Sequence, residues 1–195
     1  LKKAVGSYDW IPQFFLPVSV CHGSYDNGIM YAGDKEIVME IELLTIGKTS
    51  IGFVENGIGE YTKRLKHYIP YSIRSLPDVK NASRMDQTRQ KEAEGQKIID
   101  SLTPSDFVVL LDERGKQYSS VEFSSFIEKQ MLSGRRKTVF VVGGPYGFSK
   151  EVYERADSLL SLSKMTFNHE MVRLFFTEQI YRAMTILRGE PYHHE

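Results

Sequence analysis

The sequence predicts an α/β fold in which a parallel sheet carries helices on both faces. Short apolar runs alternate with longer segments of helical period along the chain, which is the pattern of parallel strands joined by crossover helices. Two of these runs, Asp106–Leu111 and Lys137–Val142, are apolar through their centres, as strands covered on both faces require. Ligands of such folds bind at the carboxyl ends of the strands, so the loops that follow Leu111 and Val142 are the first candidates for a site.

Each element is recognised by its period and by the residues that end it. Glu40–Ile46 is rich in apolar and β-branched residues and stops at a glycine, which indicates a strand. Phe53–Tyr68 repeats apolar residues at helical spacing, and Arg84–Leu102 is a polar run of helix formers with a thin apolar stripe, typical of a surface helix. The same reasoning predicts two further strands, Tyr71–Leu76 and Leu159–Leu162, and three further helices, Val121–Leu132, Lys150–Ala156 and His169–Leu187.

The last of these helices, His169–Leu187, is apolar around most of its circumference. A monomer rarely buries a helix so completely at its C-terminal edge. The segment is therefore either a central core helix or a helix shared between the core and a homodimer interface.

The composition sets further bounds. The chain has 195 residues, of which 41% are apolar and 26% charged, as in one soluble domain of ordinary size. Its net charge of zero argues against a large non-specific nucleic-acid-binding face. No apolar run approaches the roughly 20 residues of a membrane span, and the single cysteine, Cys21, excludes an intrachain disulfide. We therefore expect no membrane partner and a cytoplasmic location.

Residues 1–38 differ in character from the rest of the chain. They mix aromatic residues with Gly, Pro, Ser and Asp and show no sustained helical or alternating period. Gly6, Asp9 and Pro12 interrupt the apolar stretch that a signal peptide would need. We expect an irregular N-terminal extension over residues 1–38, either an appendage or translated sequence upstream of the true start, and one folded domain over residues 39–195.

The run GGPYGFS after Val142 has glycines at a strand end, but its spacing fits neither the dinucleotide fingerprint nor a P-loop. Adjacent glycines allow either a close approach of the backbone to some other ligand or simply a tight strand-to-helix turn capped by Ser149. The run DERGKQYSS after Leu111 is predicted to be a loop.

Signatures of nucleophilic and metal catalysis are missing from the sequence. No G-x-S-x-G is present. In the run HEMVR, Arg173 stands where a zinc-binding H-E-x-x-H motif needs its second His. His193, His194 and Glu195 are adjacent in a tail and cannot all point at one ion, so we predict no metal site.

Two other stretches are unusual for their positions. SLSKMTFNHEMVR, residues 161–173, suggests a loop whose backbone groups face a ligand such as the edge of an adenine, or an ordinary loop capped by Thr166 or Asn168. RGEPYHHE, residues 188–195, ends the chain with a Tyr that can stack on a base and with two titratable His residues, or it is a solvated tail.

Together the runs LLDERGKQYSS, FVVGGPYGFS and SLSKMTFNHEMVRLFFTEQIYRAMTILRGEPYHHE resemble one family closely. This is the family of small SPOUT-superfamily methyltransferases that methylate N3 of a pseudouridine in 23S ribosomal RNA. The resemblance covers residues 39–195, and its motifs occur in the expected order. It implies a SPOUT-type fold with a C-terminal trefoil knot, a homodimer, and the assembled ribosome as substrate.

The resemblance also implies S-adenosylmethionine as methyl donor. The positions that match the family's cofactor loops are Leu111, Gly143, Leu162, Ser163, Lys164, Met165, Thr166 and Phe167.

For the chemistry, the N3 imide must lose a proton, so a general base is useful. We expect His193 or Glu195 as the base, with Arg173 or Arg182 stabilising the developing negative oxygen. Tyr192 and His194 are expected to bind the RNA substrate.

Two positions depart from the family pattern. His194 stands where the family commonly has Arg, and a His contacts phosphate as a cation only when it is protonated. Asn168 replaces a frequent Pro before the last helix and is a good N-cap. Two other function classes stay open at this point, which are a non-catalytic ribosome-binding module that keeps the SPOUT fold and a doubly wound nucleotide- or flavin-binding protein.

Overall fold

The computed structural model describes residues 39–192 in full and, before them, only the backbone of three short strands. The strands β1 (Ser24–Asp26), β2 (Ile29–Ala32) and β3 (Lys35–Ile37) form an antiparallel sheet of their own. They lie in the segment for which irregular structure was expected. The sequence carries a signal for them, because Asn-Gly and Gly-Asp pairs between short β runs are typical of two-residue hairpins.

A second sheet forms the centre of residues 39–192 and is parallel throughout. Its strands are β4 (Glu40–Ile46), β5 (Tyr71–Leu76), β6 (Phe107–Gln117), β7 (Lys137–Val142) and β8 (Ser158–Ser161), in the order β5-β4-β7-β6-β8. The predicted parallel sheet is confirmed. Three strands have the predicted bounds, because a glycine, a proline or a polar residue stands at each of their ends.

Helices cover both faces of this sheet, as predicted. They are α1 (Gly52–Leu65), α2 (Gln87–Ser101), α3 (Ser120–Leu132), α4 (Lys150–Arg155) and α5 (Met171–Leu187). Successive residues of a strand point to opposite faces of the sheet. Leu43 packs in a core with residues of α1, α3 and α5, whereas Leu44 packs in a core with residues of α2 and α4. Strands buried on both faces in this way read as continuous apolar runs.

Two helices begin later than predicted. Helix α2 starts after Asp86, whose carboxylate accepts a hydrogen bond from the backbone N–H of Arg89 at 2.9 Å, because an N-cap residue satisfies a free N–H of the first turn. Before α5, the Asn168 side chain accepts hydrogen bonds from the N–H groups of Glu170 at 2.8 Å and Met171 at 3.4 Å. Asn168 thus caps the turn that leads into α5, as its residue type suggested.

Helix α5 is a core helix with an apolar outer side. Phe176, Ile180 and Met184 are fully buried between the sheet and the neighbouring helices α1 and α3. Phe175, on the other side, is 43% exposed and lies with its ring 5.2 Å from that of Phe167. The apolar circumference seen in the sequence therefore reflects a core face together with the exposed Phe175, whose ring lies against Phe167 of the preceding loop.

Candidate functional site

A cleft of about 1110 Å³ opens at the carboxyl ends of β7 and β8 and beside residues 111–114 of β6. Three segments that are far apart in the sequence meet there, namely the bulge of β6 and the loops after β7 and β8, as expected for ligand sites of parallel sheets. Seven of the eight predicted cofactor residues line the cleft, namely Leu111, Gly143, Leu162, Ser163, Met165, Thr166 and Phe167. Lys164, the eighth, belongs to the same loop, but it is exposed and does not line the cleft.

The GGPYG run forms a tight turn, in which the Gly147 N–H donates to the Gly144 carbonyl at 3.2 Å. Packing within the protein explains both leading glycines. A Cβ on Gly144 would lie 2.1 Å from the carboxylate of Glu94, and a Cβ on Gly143 would lie 3.1 Å from the Phe148 ring. The missing side chains therefore let the turn fold against α2 and Phe148, while its backbone and Tyr146 still line the cleft.

The turn leads directly into α4. Ser149 occupies the N-cap position with extended backbone angles, but its side chain makes no capping hydrogen bond. The predicted cap is thus confirmed in position and not in its hydrogen bond.

The loop after β8 is held by its serines and leaves backbone donors available. Ser161 Oγ donates to the Ser163 carbonyl at 3.0 Å, and Ser163 Oγ accepts from the Met165 N–H at 3.0 Å. Within residues 39–192, the N–H groups of Lys164, Thr166 and Phe167 have no hydrogen-bond partner. Such donors on the loop that lines the cleft suit a ligand that is bound through backbone hydrogen bonds.

The strand β6 differs from the prediction, which ended it at Leu111. It continues to Gln117, and both Leu111 and Lys116 pair with Leu160 of β8, so that residues 112–115 bulge out of the ladder. Gly115 permits the bulge, because a Cβ there would lie 2.5 Å from backbone atoms of Leu160. The sequence predicted a loop here because the bulged residues are polar.

The bulge builds a cluster at the cleft that the sequence prediction missed. Asp112 accepts hydrogen bonds from the hydroxyl of Tyr153 on α4, from the Arg114 backbone N–H at 2.8 Å and from Arg114 Nε at 3.2 Å. Arg114 Nη2 also donates to the Tyr153 hydroxyl, and its guanidinium lies 4.7 Å from the centre of the Tyr153 ring. An Asp-x-Arg-Gly sequence directly after a buried strand was the signal that could have indicated it.

The protonation states within this cluster are fixed around neutral pH. Although burial raises the pKa of the Asp112 carboxyl, the hydrogen bonds from Tyr153 and Arg114 outweigh that effect and hold the pKa below its ordinary value. Burial, followed by the hydrogen bond to Asp112, raises the pKa of Tyr153 to about 12. Asp112 is therefore an anion and Tyr153 a neutral donor at the pH values where most enzymes work.

Arg173, a predicted catalytic residue, lies at the start of α5 with only 1% of its surface exposed. Its guanidinium donates to the carbonyls of Ile46 at 2.7 Å and Gly47 at 3.0 Å and to the hydroxyl of Thr49 at 3.1 Å. Arg173 thus holds the loop between β4 and α1, and it does not line the cleft. The sequence could not show this because the contacts cross more than 120 residues.

Two other predicted residues, Arg182 and Tyr192, lie toward the opposite end of α5. Arg182 donates through Nη2 to Glu178 at 2.6 Å and lies 4.8 Å from the ring centre of Tyr192. Tyr192 donates to the same carboxylate at 3.0 Å. Neither residue lines the cleft, so the structure does not bring them to the predicted cofactor loops. His193, His194 and Glu195 lie outside the described residues.

The described residues contain neither a cluster of metal ligands nor a helix suited to crossing a membrane. No group of three or more His, Cys, Asp or Glu side chains among them is placed to hold a metal ion. No helix in the described part of the chain has the length and apolar character needed to cross a membrane.

Comparison with known proteins adds to this geometry. A family model described as "Predicted SPOUT methyltransferase" matches residues 39–193. Three relatives share the name "Ribosomal RNA large subunit methyltransferase H". They come from Parabacteroides distasonis, Porphyromonas gingivalis and Christiangramia forsetii and are 54%, 55% and 56% identical over 157, 157 and 156 residues. Each alignment covers 80% of this chain and 99–100% of the relative.

Proposed function

Because the chain belongs to the SPOUT methyltransferase family, we propose that it transfers the methyl group of S-adenosylmethionine to large-subunit ribosomal RNA. The names of the relatives support the substrate class. The observation in the structure that carries the proposal is that the bulged part of β6 and the loops after β7 and β8 converge on one cleft. Their convergence gives a site for a small molecule at the sheet edge where such folds bind ligands.

The residues of the cleft fit S-adenosylmethionine. Leu111 and Leu162 offer apolar walls, and the N–H groups of Thr166 and Phe167 have no partner within the described part of the chain. Unpaired backbone donors beside apolar side chains can hold the edge of an adenine without any charged group. When it is bound, S-adenosylmethionine supplies an activated methyl group on its sulfonium. The predicted set of cofactor residues, including Lys164, stands as part of this proposal.

The proposed target atom is N3 of a pseudouridine in 23S rRNA, and the proposed substrate is the assembled ribosome. The resemblance of the sequence motifs to that family supports the target. The net charge of zero supports the assembled substrate, because a free RNA-binding enzyme of this size would be expected to carry more basic residues. We propose that the enzyme acts in the cytoplasm, where ribosomes are assembled.

The protein's contribution to the chemistry is positioning and removal of a proton. We propose that His193 or Glu195 accepts the N3 proton. We also propose that Arg182 stabilises the negative charge that develops on an oxygen of the pseudouridine. Tyr192 and His194 then contact the RNA. Arg173 has a different role, because its guanidinium is buried against backbone carbonyls, and we propose that it positions the start of α5 beside the cleft.

A homodimer would unite the two parts of this site. Arg182 lies ten residues beyond Val172, a residue of the cleft, which at about 1.5 Å per residue places it roughly 15 Å further along α5. The tail of a second copy could reach the cleft of the first. The exposed pair Phe167 and Phe175 next to the cleft supports such an interface.

Two further features follow from the resemblance. We propose that the segment from β6 to α5 forms a C-terminal trefoil knot, which is supported by the way three of its loops share one cleft. We propose that residues 39–195 form the methyltransferase unit. The relatives support this boundary, because aligned segments of 156–157 residues make up 99–100% of their lengths.

The proposal is tested on intact ribosomes from cells that lack this protein. We expect wild-type protein with S-adenosylmethionine to add one methyl group to 23S rRNA, located by mass mapping, and to leave a naked rRNA stem-loop unmodified. His193→Ala or Glu195→Ala should reduce the rate by roughly 10²–10⁴-fold for whichever residue is the base. Activity near wild type in both variants would remove these residues from the chemistry.

Two other results would change the proposal itself. Strong methylation of the stem-loop would contradict an assembled substrate. Tight ribosome binding, with no binding of S-adenosylmethionine in calorimetry, would favour a non-catalytic ribosome-binding module.

A further inference from the structure

We propose that Arg114 binds a backbone phosphate of the RNA substrate at the mouth of the cleft, and that Asp112 and Tyr153 position its guanidinium for this contact. The inference rests on the proposed function and adds to it a substrate-binding residue outside the C-terminal tail. Neither the family resemblance nor the predicted cofactor loops assign a role to these side chains.

The fold places Arg114 at the cleft through a bulge that interrupts the pairing of β6 with β8. Residues 112–115 leave the β6–β8 ladder, and Gly115 lies so close to Leu160 that a Cβ would contact backbone atoms at 2.5 Å. A bulge beside a ligand site commonly redirects a side chain toward that site. Here the redirected side chains are Asp112 and Arg114, and both line the cleft.

The guanidinium is held on one side and available on the other. Its Nε and Nη2 donate to Asp112 and Tyr153, and it stacks 4.7 Å from the ring centre of Tyr153. Within residues 39–192, Nη1 has no partner. The Arg114 side chain is 67% exposed, whereas the Asp112 side chain is only 9% exposed. An incoming ligand therefore meets the cation and not its counter-ion.

Stability alone gives little reason for this arrangement. An ion pair whose arginine is open to solvent contributes little to stability, and a mobile arginine would lose side-chain entropy on binding a ligand. Three contacts within the protein hold Arg114 in place before a ligand arrives. Such preorganisation favours recognition of an anion whose oxygens match the planar fork of arginine, as phosphate oxygens do.

A phosphate of RNA fits this position better than the carboxylate of S-adenosylmethionine does. The Arg114 side chain lines the cleft and is 67% exposed, so a large substrate that approaches from solvent can reach it. The other cations of the cleft wall are Lys91 and Lys150, and Lys150 is paired with Glu154 at 3.4 Å. RNA presents a row of phosphates that can meet such separated cations, whereas the cofactor has a single carboxylate. The cofactor carboxylate is the competing outcome of the test below.

The test measures affinity for large ribosomal subunits, KM and kcat for methylation, and the Kd of S-adenosylmethionine by calorimetry. For Arg114→Ala we expect the ribosome affinity to fall roughly tenfold and KM to rise by a similar factor, since one charge-assisted contact is lost. The slope of log affinity against log salt should decrease by about 0.7–1. The values of kcat and the cofactor Kd should stay within about twofold of wild type.

Three further variants separate positioning from charge. Arg114→Lys keeps the cation without the planar fork, so we expect it to recover only part of the affinity. Tyr153→Phe removes the hydroxyl that joins Asp112 to Arg114 and should weaken ribosome binding less than Arg114→Ala does. Arg89→Ala is the matched control, because Arg89 is also an exposed arginine, 79% against 67% for Arg114, and is paired with Asp86. Neither Arg89 nor Asp86 lines the cleft, so this variant should behave as wild type.

Several results would overturn the inference. One is an Arg114→Ala variant with unchanged ribosome affinity and salt slope. Another is a weakened cofactor Kd with unchanged ribosome affinity, which would assign Arg114 to the cofactor. If wild-type protein binds ribosomes without methylating them, the proposed function fails, while the affinity series still tests Arg114. If wild-type protein does not bind ribosomes, both proposals fail.

Discussion

The two ends of helix α5 carry arginines of the same chemistry in opposite environments. Arg173, at the start, is 1% exposed and donates to carbonyls of Ile46 and Gly47 and to the hydroxyl of Thr49. Arg182, near the end, forms an ion pair with Glu178 and keeps 27% of its side chain exposed. Both were predicted to serve the chemistry. The comparison shows that two arginines of one motif-bearing helix can have entirely different partners, backbone carbonyls for Arg173 and a carboxylate for Arg182.

The environment of Arg173 is unusual because its hydrogen-bonded partners are neutral. Burial lowers the pKa of the Arg173 guanidinium, although the nearby charges of Glu170 and Asp78 raise it. Arginine nevertheless stays protonated in proteins. The cation therefore neutralises no hydrogen-bonded carboxylate. It joins the end of β4, the loop after β4 and the start of α5, all of which lie near the carboxyl edge of the sheet.

The largest expected effect is on stability and comes from Arg173→Ala. The substitution removes a hydrogen bond from three carbonyls, those of Ile46, Gly47 and His169, and opens a cavity. We therefore expect it to lower the free energy of unfolding by about 2–4 kcal/mol. Arg173→Lys should recover only part of this, because a lysine ammonium cannot span the same acceptors in the fork geometry. Urea denaturation monitored by circular dichroism measures both changes.

Arg182→Ala is the matched control in the same helix. Its partly exposed ion pair should contribute about 1 kcal/mol or less. If Arg173→Ala lost less than about 1 kcal/mol and yet abolished methylation, the scaffold role would be refuted. Arg173 would then act in the chemistry, as the sequence motif suggested.

The second effect is smaller and depends on pH, and it concerns Glu170 beside Arg173. Hydrogen bonds from the Ile51 N–H at 2.9 Å, the Ser50 hydroxyl at 2.7 Å and the Ser50 N–H at 2.6 Å hold the pKa of Glu170 at about 2. The folded pKa lies below the ordinary value of 4.5. The stabilisation is therefore complete above about pH 4.5 and is lost as the pH falls toward 2.

Glu170→Gln tests that window. At pH 7 the variant should be less stable than wild type, by less than Arg173→Ala is, and the difference should shrink as the pH is lowered from about 4.5. Glu151→Gln, at an exposed site on α4, is the comparison at a second carboxylate. A difference between Glu170→Gln and wild type that stayed constant down to pH 3 would show that the carboxylate does not cap the loop before α1.

The sequence predicted what depends on local pattern and missed what depends on contacts between distant residues. The strands Glu40–Ile46, Tyr71–Leu76 and Lys137–Val142 have the predicted bounds because glycine, proline or polar residues end their apolar runs. The β6 bulge was missed because its residues are polar, and its cause is the close approach of Gly115 to Leu160. The loops that form the cleft were found because parallel strands place their carboxyl ends at one edge.

The environments of Arg173 and Arg182 could not be predicted in the same way. Both occur in one apolar helix. The helical period predicts which side of the helix each residue occupies, but it does not predict which residues that side contacts. Ile46, an acceptor of Arg173, is 127 residues away in the sequence. The assignment of cofactor and catalytic residues stays a prediction, because it rests on the family resemblance and on the position of the loops.

The smallest effect belongs to the distal end of α5 and comes from Tyr192→Phe. The Tyr192 hydroxyl donates to Glu178 at 3.0 Å and lies 3.4 Å from the hydroxyl of Tyr61. Since the site is partly exposed, we expect the loss of this hydroxyl to cost about 0.5–1 kcal/mol of unfolding free energy. Tyr118→Phe is the control, because the Tyr118 hydroxyl has no hydrogen-bond partner among residues 39–192. A loss for Tyr192→Phe as large as that for Arg173→Ala would mean that Tyr192 has a scaffold role, which would contradict its proposed role in RNA binding.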